Sequence, residues 1–225
     1  MRILVAGARG GIGAACVDAL SAYEVVPVDL PECDVTAPGG AEEAVRLAGE
    51  PLHGIVHAVG MSGRRLGDGP VTEASDEAWS EVLRVNLESV FRLLRAGLPA
   101  LREAGGGSFV VIGSALGQSV DRDFLTAAYA ASKAGVLALV RVAALEAAPW
   151  GVRVNAVAAG LVDTPMAARA GTDERIQRRL PELQPLGGGM VSPADVAGAV
   201  AWLLSPASAT TTGASLPVDG GWSLR

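Results

Sequence analysis

Lysine is almost missing from this chain: of eighteen basic side chains, seventeen are arginine and Lys133 is the one exception. Aromatic residues are also scarce, at 4 % of the 225 residues, and only Tyr23 and Tyr129 are tyrosines. There are two cysteines, Cys16 and Cys33, without the spacing of a metal or redox motif, and no His/Cys/carboxylate cluster has zinc-ligand spacing. Disulfide stapling and a metal centre are therefore not expected. With no cleavable leader predicted, a reducing cytoplasm is the expected compartment. Apolar runs are interrupted by Arg, Asp, Gly or Pro before reaching the ~18 residues a bilayer crossing requires. No excess of positive charge exists either: the net charge is −6 and the pI about 5.0, which disfavours nucleic acid and anionic membrane as partners. A small molecule is the expected partner.

What the chain has in quantity is apolar sequence, 50 % of it, and 29 glycines. That is enough to bury one large core, and a single domain over residues 1–225 is the expected organisation. Ile3–Ala6 is an uninterrupted apolar run ending in glycines, the pattern of a strand buried on both faces. Ile12–Leu20 has helical apolar spacing, and Val25–Val28 reads as the next strand. Further strands are predicted at Gly54–Ala58, Phe109–Ile112, Val152–Val157 and Ser215–Val218. Long helices are predicted over Ser75–Leu101 and Ala127–Ala147, with a shorter one over Pro193–Leu204 behind a Ser192 cap. This alternation predicts an α/β fold, a doubly wound parallel sheet of Rossmann type with helices on both faces. Pro38–Gly40, Gly63–Pro70 and Pro185–Gly189 read as loops, the last two facing substrate.

The turn Gly7-Ala8-Arg9-Gly10-Gly11-Ile12-Gly13 lies between the first strand and first helix, where backbone amides can approach a pyrophosphate. Asp29 closes the second strand, where a carboxylate can accept both hydroxyls of an adenine ribose and repel a 2′-phosphate. NAD is thus the expected cofactor, with NADP possible because Arg9 offers a phosphate some compensation. Tyr129 and Lys133 stand four apart in an Ala-rich helical segment and share one face. A neighbouring ammonium favours phenolate, so the pair is an expected acid/base. Ser114 follows the strand Phe109–Ile112 and can hydrogen-bond a substrate carbonyl. Asn86 sits beside an apolar helix stripe and either bonds a neighbouring carbonyl or holds a water that feeds Lys133. His53 and His57 flank or occupy a strand and read as packed residues, since no Gly-x-Ser-x-Gly elbow accompanies them.

Together these residues resemble the short-chain dehydrogenase/reductase family over nearly the whole chain. The glycine turn is similar to TGxxxGIG with Ala6 in place of threonine, Tyr129-Ala130-Ala131-Ser132-Lys133 matches YxxxK, and Ser114 and Asn86 complete a catalytic tetrad. His57-Ala58-Val59-Gly60 stands where NNAG is common, and Ala159-Gly160 where Pro-Gly is usual. The resemblance implies that Tyr129 exchanges a proton with the substrate oxygen, Ser114 orients that oxygen, Lys133 lowers the tyrosine pKa and binds the nicotinamide ribose, and Asn86 supports a proton relay. It further implies cofactor contacts from Gly7, Arg9, Gly11, Ile12, Gly13, Asp29, Asp34, Val35, Ala58, Gly60, Val162 and Thr164. The function so implied is hydride transfer between NAD(H) and a secondary alcohol or ketone. The alternatives are an NADPH-dependent ketoreductase, or a binding-only regulator or scaffold of the same fold. A homodimer or homotetramer is implied as well. Only four residues separate Asp29 from Asp34, where the family usually inserts a helix and a strand, so an edge strand is expected to be shortened or absent and the adenine pocket more open. Ser62–Pro70, Ala115–Thr126 and Leu161–Met190 are the expected pocket segments, with Leu116, Phe124, Leu161 and Met166 as apolar lining. Arg64, Arg65 and Arg122 are read as anion contacts or as solvated loop residues, the solvated reading being the plainer.

Overall fold

The computed structural model describes residues 1–224. Six parallel strands form one sheet in the order β2-β1-β3-β4-β5-β6: β1 Arg2–Ala6, β2 Glu24–Val28, β3 Gly54–His57, β4 Gly107–Ile112, β5 Val152–Ala159 and β6 Ser215–Val218. The predicted strands are all present. The four inner strands bury both faces, and their alternate residues feed two layers. Ile3, Val5, Val56 and Val110 pack with Cys16 of α1 (Gly11–Ala19) and with Val196, Val200 and Leu203 of α8 (Pro193–Leu204). On the opposite face, Leu4, Ile55, Phe109 and Val111 pack against α2 (Gly40–Ala48), α4 (Ser89–Glu103) and α5 (Ala127–Ala147).

The sheet ends where the sequence is shortest. β2 pairs with β1 alone and β6 with β5 alone, and each edge strand carries a proline, Pro27 and Pro217, both exposed. Proline has no amide to offer a further strand. The helix and strand usual between Asp29 and Asp34 are absent, as the short spacing implied, and the chain passes directly into α2, a helix not delimited from sequence. Strand order reverses at β1, whose neighbours are β2 and β3. The resulting crevice lies at the strands' C-terminal ends, where open α/β sheets hold ligands.

Two helical expectations need correction. Ser75–Leu101 is not one regular helix: α3 (Asp76–Leu83) and α4 are joined by a π-helical turn, Arg84–Glu88, with Asn86 inside it. The apolar stripe runs on through the wider turn, so periodicity does not betray it. The second concerns α5, which with its terminal 3₁₀ turn spans Ala127–Trp150 and is long and apolar enough to cross a membrane. Here it is a core helix against β5, burying Ser132 and Lys133.

Beyond the strand ends, α6 (Ala168–Thr172) and α7 (Glu174–Leu183) form a cap, with Ala170, Ile176 and Leu183 packed in one apolar cluster with Ala115, Phe124 and Trp222 of the loops after the strands. Arg179 of α7 makes a two-pronged pair with Asp121 at 2.9 and 3.0 Å and also pairs with Asp123, as Arg175 does, tying the loop before α5 to the cap. Two parallel bonds from a planar guanidinium fix that geometry more strongly than a single point-charge contact.

Candidate active site

The glycine turn leaves β1 with Gly7 at φ +81°, and the end of β3 lies so close that a Cβ at Gly7 would stand 2.8 Å from the Ala58 carbonyl carbon. Helix α1 then starts behind Gly10, with neither a side-chain cap nor an acidic residue in its first turn. Its first amides are therefore open to an anion. Gly7, Arg9 and Gly10 line one cavity with Asp29, Asp34, Val35 and Thr36, about 460 Å³ in volume. Asp29 accepts the Arg9 amide at 2.7 Å and the Leu30 amide at 2.8 Å. The Arg9 side chain bonds the Leu30 carbonyl and pairs with Glu32 at 2.8 Å, so its charge is already balanced at the pocket rim. One Asp34 oxygen bonds the amide and hydroxyl of Thr36, which holds this carboxyl below its usual range.

Ala58 and Gly60 line this cavity and also a second one of about 320 Å³. In the second lie Ile12, Ser114, Tyr129, Lys133, Val162 and Thr164, so the residues singled out for chemistry are brought together. Gly11 meets the Thr164 loop from the opposite side: a Cβ there would be 2.6 Å from Thr164 Cγ2. Leu116, Phe124, Leu161 and Met166 line the second cavity as expected. Pro185–Gly189 does not. That loop packs instead on the C-terminal turn, with the Leu186 amide on the Gly220 carbonyl at 2.9 Å, and Arg122 is exposed outside the cavity. Trp222, brought in from the far end of the chain and stacked edge-on against Phe124 at 5.0 Å, and Arg169 are lining residues that the sequence did not single out.

Helix α5 presents Tyr129 and Lys133 on one face, with the Lys133 Nζ 5.8 Å from the centre of the Tyr129 ring. Its first turn is fixed by Asp68, whose two oxygens accept the Ala128 and Tyr129 amides, each at 3.0 Å. This carboxylate cap was not apparent from sequence, because Asp68 lies in a glycine-rich loop 60 residues upstream. Burial pushes the Tyr129 phenol up, while the hydrogen bond from Ser114 pulls it back. Lys133 donates to the Ile112 carbonyl at 2.9 Å, and burial lowers its own pKa to about 8, so the ammonium is itself poorly tolerated.

Asn86 is fully buried in the π turn. It accepts the Met61 amide at 2.8 Å and donates to the Met61 carbonyl at 3.0 Å and to Ser132 Oγ at 3.2 Å. Both amide protons are thus donated within the protein, and the side chain anchors the segment after β3 to α5. Ser132 completes the link by donating to the Tyr129 carbonyl at 2.7 Å. His57 is buried with Nε2 2.9 Å from Ser89 Oγ, and its pKa falls to about 3 because burial penalises the cation. His53 Nδ1 accepts the Arg2 amide at 3.1 Å, so both histidines are structural.

Lys133 gives a stability prediction. Its folded pKa of about 8 lies below the ordinary 10.5, so between those pH values the unfolded chain binds a proton that the folded protein lacks. Stability therefore rises with pH across that window, and the burial penalty is complete below it. Lys133→Met should raise the unfolding free energy at pH 7 by about 1–3 kcal/mol. The gain should shrink to nothing by about pH 10.5. Urea titrations at pH 7 and 10.5 measure both, and a methionine variant less stable at pH 7 would contradict the assignment.

The chain matches the family model described as enoyl-(acyl carrier protein) reductase over residues 12–223. It is 35 % identical over 190 residues to galactitol 2-dehydrogenase (L-tagatose-forming) of Cereibacter sphaeroides, covering 84 % of this chain and 71 % of that one. It is 33 % identical to the (3R)-3-hydroxyacyl-CoA dehydrogenase of Mus musculus, covering 97 % and 94 % of the two chains. Among solved structures it superposes on an actinorhodin polyketide ketoreductase with NADPH at a TM-score of 0.85 and 30 % identity, covering 99 % of this chain and 97 % of that one. A glycine turn at the sheet's switch point, a Ser/Tyr/Lys cavity beside it and these matches converge: the chain belongs to the short-chain dehydrogenase/reductase family of oxidoreductases.

Proposed function

We propose that the protein transfers a hydride between NAD(H) and a secondary alcohol or ketone, with Tyr129 as the acid/base. The observation that carries this reading is the meeting of Ser114, Tyr129 and Lys133 in one cavity that joins the glycine-turn pocket through Ala58–Gly60. The uncapped start of α1 suits a pyrophosphate, and Asp29 at the end of β2 suits a ribose diol. Gly7, Gly11, Ile12 and Gly13 would hold the phosphates, Asp34 and Val35 the adenine, and Lys133, Val162 and Thr164 the nicotinamide end. When bound, the nicotinamide supplies a hydride acceptor or donor. The protein's own part is positional and protonic. Ser114 and Tyr129 hold the substrate oxygen between them. In oxidation Tyr129 takes the hydroxyl proton, and in reduction it returns one. Lys133 stabilises the phenolate, and Asn86 with Ser132 keeps α5 in register with the segment after β3.

NAD is favoured over NADP by charge. A 2′-phosphate would meet Asp29 and Glu32, while Arg9 is already paired with Glu32. A cofactor-reduction screen over alcohols and ketones, run with NAD and NADP in parallel, tests the reading. We expect NAD preferred by at least about tenfold, a difference of about 1.4 kcal/mol, and Asp29→Ser should narrow the gap. Saturable NADH binding without turnover on any alcohol or ketone would instead support a binding-only role. Phe91, Val142 and Leu145, exposed on α4 and α5, supply an apolar ridge for the proposed dimer or tetramer, which light scattering measures.

A further inference from the structure

The second cavity is electrostatically one-sided. Its charged lining residues are Arg64, Arg65, Lys133 and Arg169, with no Asp or Glu among the described ones, in a chain whose net charge is −6. Lys133 is engaged by the Ile112 carbonyl. Arg64 is not engaged in this way: its Nη2 is buried and has no hydrogen-bond partner among the described residues. Burial and the like charge of Arg169 both push its pKa down, and Asp68 alone acts in the other direction. Asp68 is committed to the first amides of α5 and makes no bond to Arg64. Among the described residues the Arg169 side chain has one ion pair, a long contact to Asp173 at 3.5 Å at the surface. A buried guanidinium nitrogen without a partner carries a desolvation cost that a bound anion would relieve.

The backbone that carries Arg64 is held in place. Arg64 opens a 3₁₀ turn, Arg64–Leu66, closed by the Leu66 amide on the Gly63 carbonyl at 2.9 Å and by the Asp68 amide on the same oxygen at 3.1 Å. Ser75 Oγ ties the turn down by donating to the Leu66 carbonyl at 2.6 Å. A cation carried on a fixed turn, lining the cavity that contains Tyr129 and with a buried nitrogen left unpartnered, suits a ligand better than solvent.

We propose that the substrate carries a small anionic group, a carboxylate or a phosphate, that seats on the Arg64 guanidinium with Arg169 beside it while its hydroxyl- or oxo-bearing carbon faces Tyr129. This rests on the hydride-transfer reading above and narrows it to acids. In oxidation the alcohol carbon gives its hydride to NAD⁺, the hydroxyl proton passes to the Tyr129 phenolate, and the C–O bond becomes C=O. The anionic group is unchanged throughout and serves only to orient the molecule, as a planar guanidinium fork does for carboxylate or phosphate.

The test has two arms. In the first, 2-, 3- and 4-carbon-spaced hydroxy acids are oxidised beside their methyl esters, and glycerol 1- and 3-phosphates beside glycerol, which separates carboxylate from phosphate. At least one anion should exceed its neutral counterpart by tenfold or more in kcat/KM, chiefly through KM. Arg64→Gln should bring that ratio toward one, Arg64→Lys should keep part of it, and Arg169→Gln should lower it less. Neutral counterparts used as well as the anions, or a ratio indifferent to Arg64→Gln, would overturn the proposal. In the second arm, acetate and inorganic phosphate are titrated calorimetrically into the free protein at constant ionic strength. Millimolar binding lost in Arg64→Gln supports the anion site even without turnover, and identical isotherms for the two proteins refute it. If NADH fails to bind, the hydride-transfer reading falls by itself, and the calorimetric arm still decides the anion site.

Discussion

Replacing Tyr129 by phenylalanine should lower kcat by about 10²- to 10⁴-fold, the usual contribution of a positioned acid/base, while leaving NADH affinity nearly unchanged. The substitution removes one oxygen and keeps the ring that fills the space beside Lys133 Nζ. It also keeps the backbone amide on Asp68, so α5 retains its start. The oxygen it removes bonds Ser114 and is the group proposed to exchange a proton with the substrate oxygen. In the free protein burial holds this phenol above its ordinary pKa and Ser114 opposes that. Wild-type alcohol oxidation should therefore climb through the alkaline range as phenolate becomes available, and ketone reduction should decline there. The residual rate of Tyr129→Phe should lack this dependence. Stopped-flow or steady-state rates across pH, with fluorescence titration of NADH, report both quantities. A variant that binds NADH and turns over like the wild type would remove Tyr129 from the mechanism.

Gly13→Ala should disable the cofactor site by a different route. A Cβ at Gly13 would stand 1.9 Å from the Gly7 carbonyl oxygen, 2.8 Å from the Gly7 carbonyl carbon and 3.2 Å from the Ala8 Cα. These are backbone atoms of the turn itself, so no side chain can swing aside to make room. Either α1 is displaced from β1 or the turn opens, and in both cases the amides at the helix start lose their shared aim. We expect a stability loss of about 1–3 kcal/mol together with a fall in NADH affinity of tenfold or more. Gly198→Ala is the matched control: it lies in α8, where a new Cβ meets nothing within 4 Å. It should raise stability by about 0.5–1 kcal/mol through helix propensity. Equal stability and NADH affinity in wild type and Gly13→Ala would show that the turn is not the tight cradle described.

The same contrast between local and distant contacts separates what was legible in the sequence from what was not. Strand and helix positions were readable because apolar runs and helical spacing are local patterns, and the Tyr129–Lys133 pairing followed from one helical turn. The short link from Asp29 to Asp34 announced a missing edge strand because a strand and helix need more residues than it has. The π turn around Asn86 was invisible, since its apolar stripe continues unbroken. Asn86's partners Met61 and Ser132 are 25 and 46 residues away in sequence, and no periodicity encodes that meeting.

By itself, then, the sequence determined the alternation of strands and helices, the glycine turn, the carboxylate after β2 and the placing of Tyr129 and Lys133 on one helix face, all matters of neighbours along one chain segment. Tertiary structure alone decided that Tyr129 and Lys133 are buried in one cavity with Ser114, where burial raises the phenol and lowers the ammonium. It alone brought Asp68 onto the start of α5 and Trp222 into the cavity, and set Arg64 beside Arg169 in a pocket with no Asp or Glu among its described lining residues. The physical reason is the order of the strands: loops distant in sequence converge over the C-terminal edge of a parallel sheet. The charges and hydrogen bonds they share there depend on that convergence and on the water it excludes.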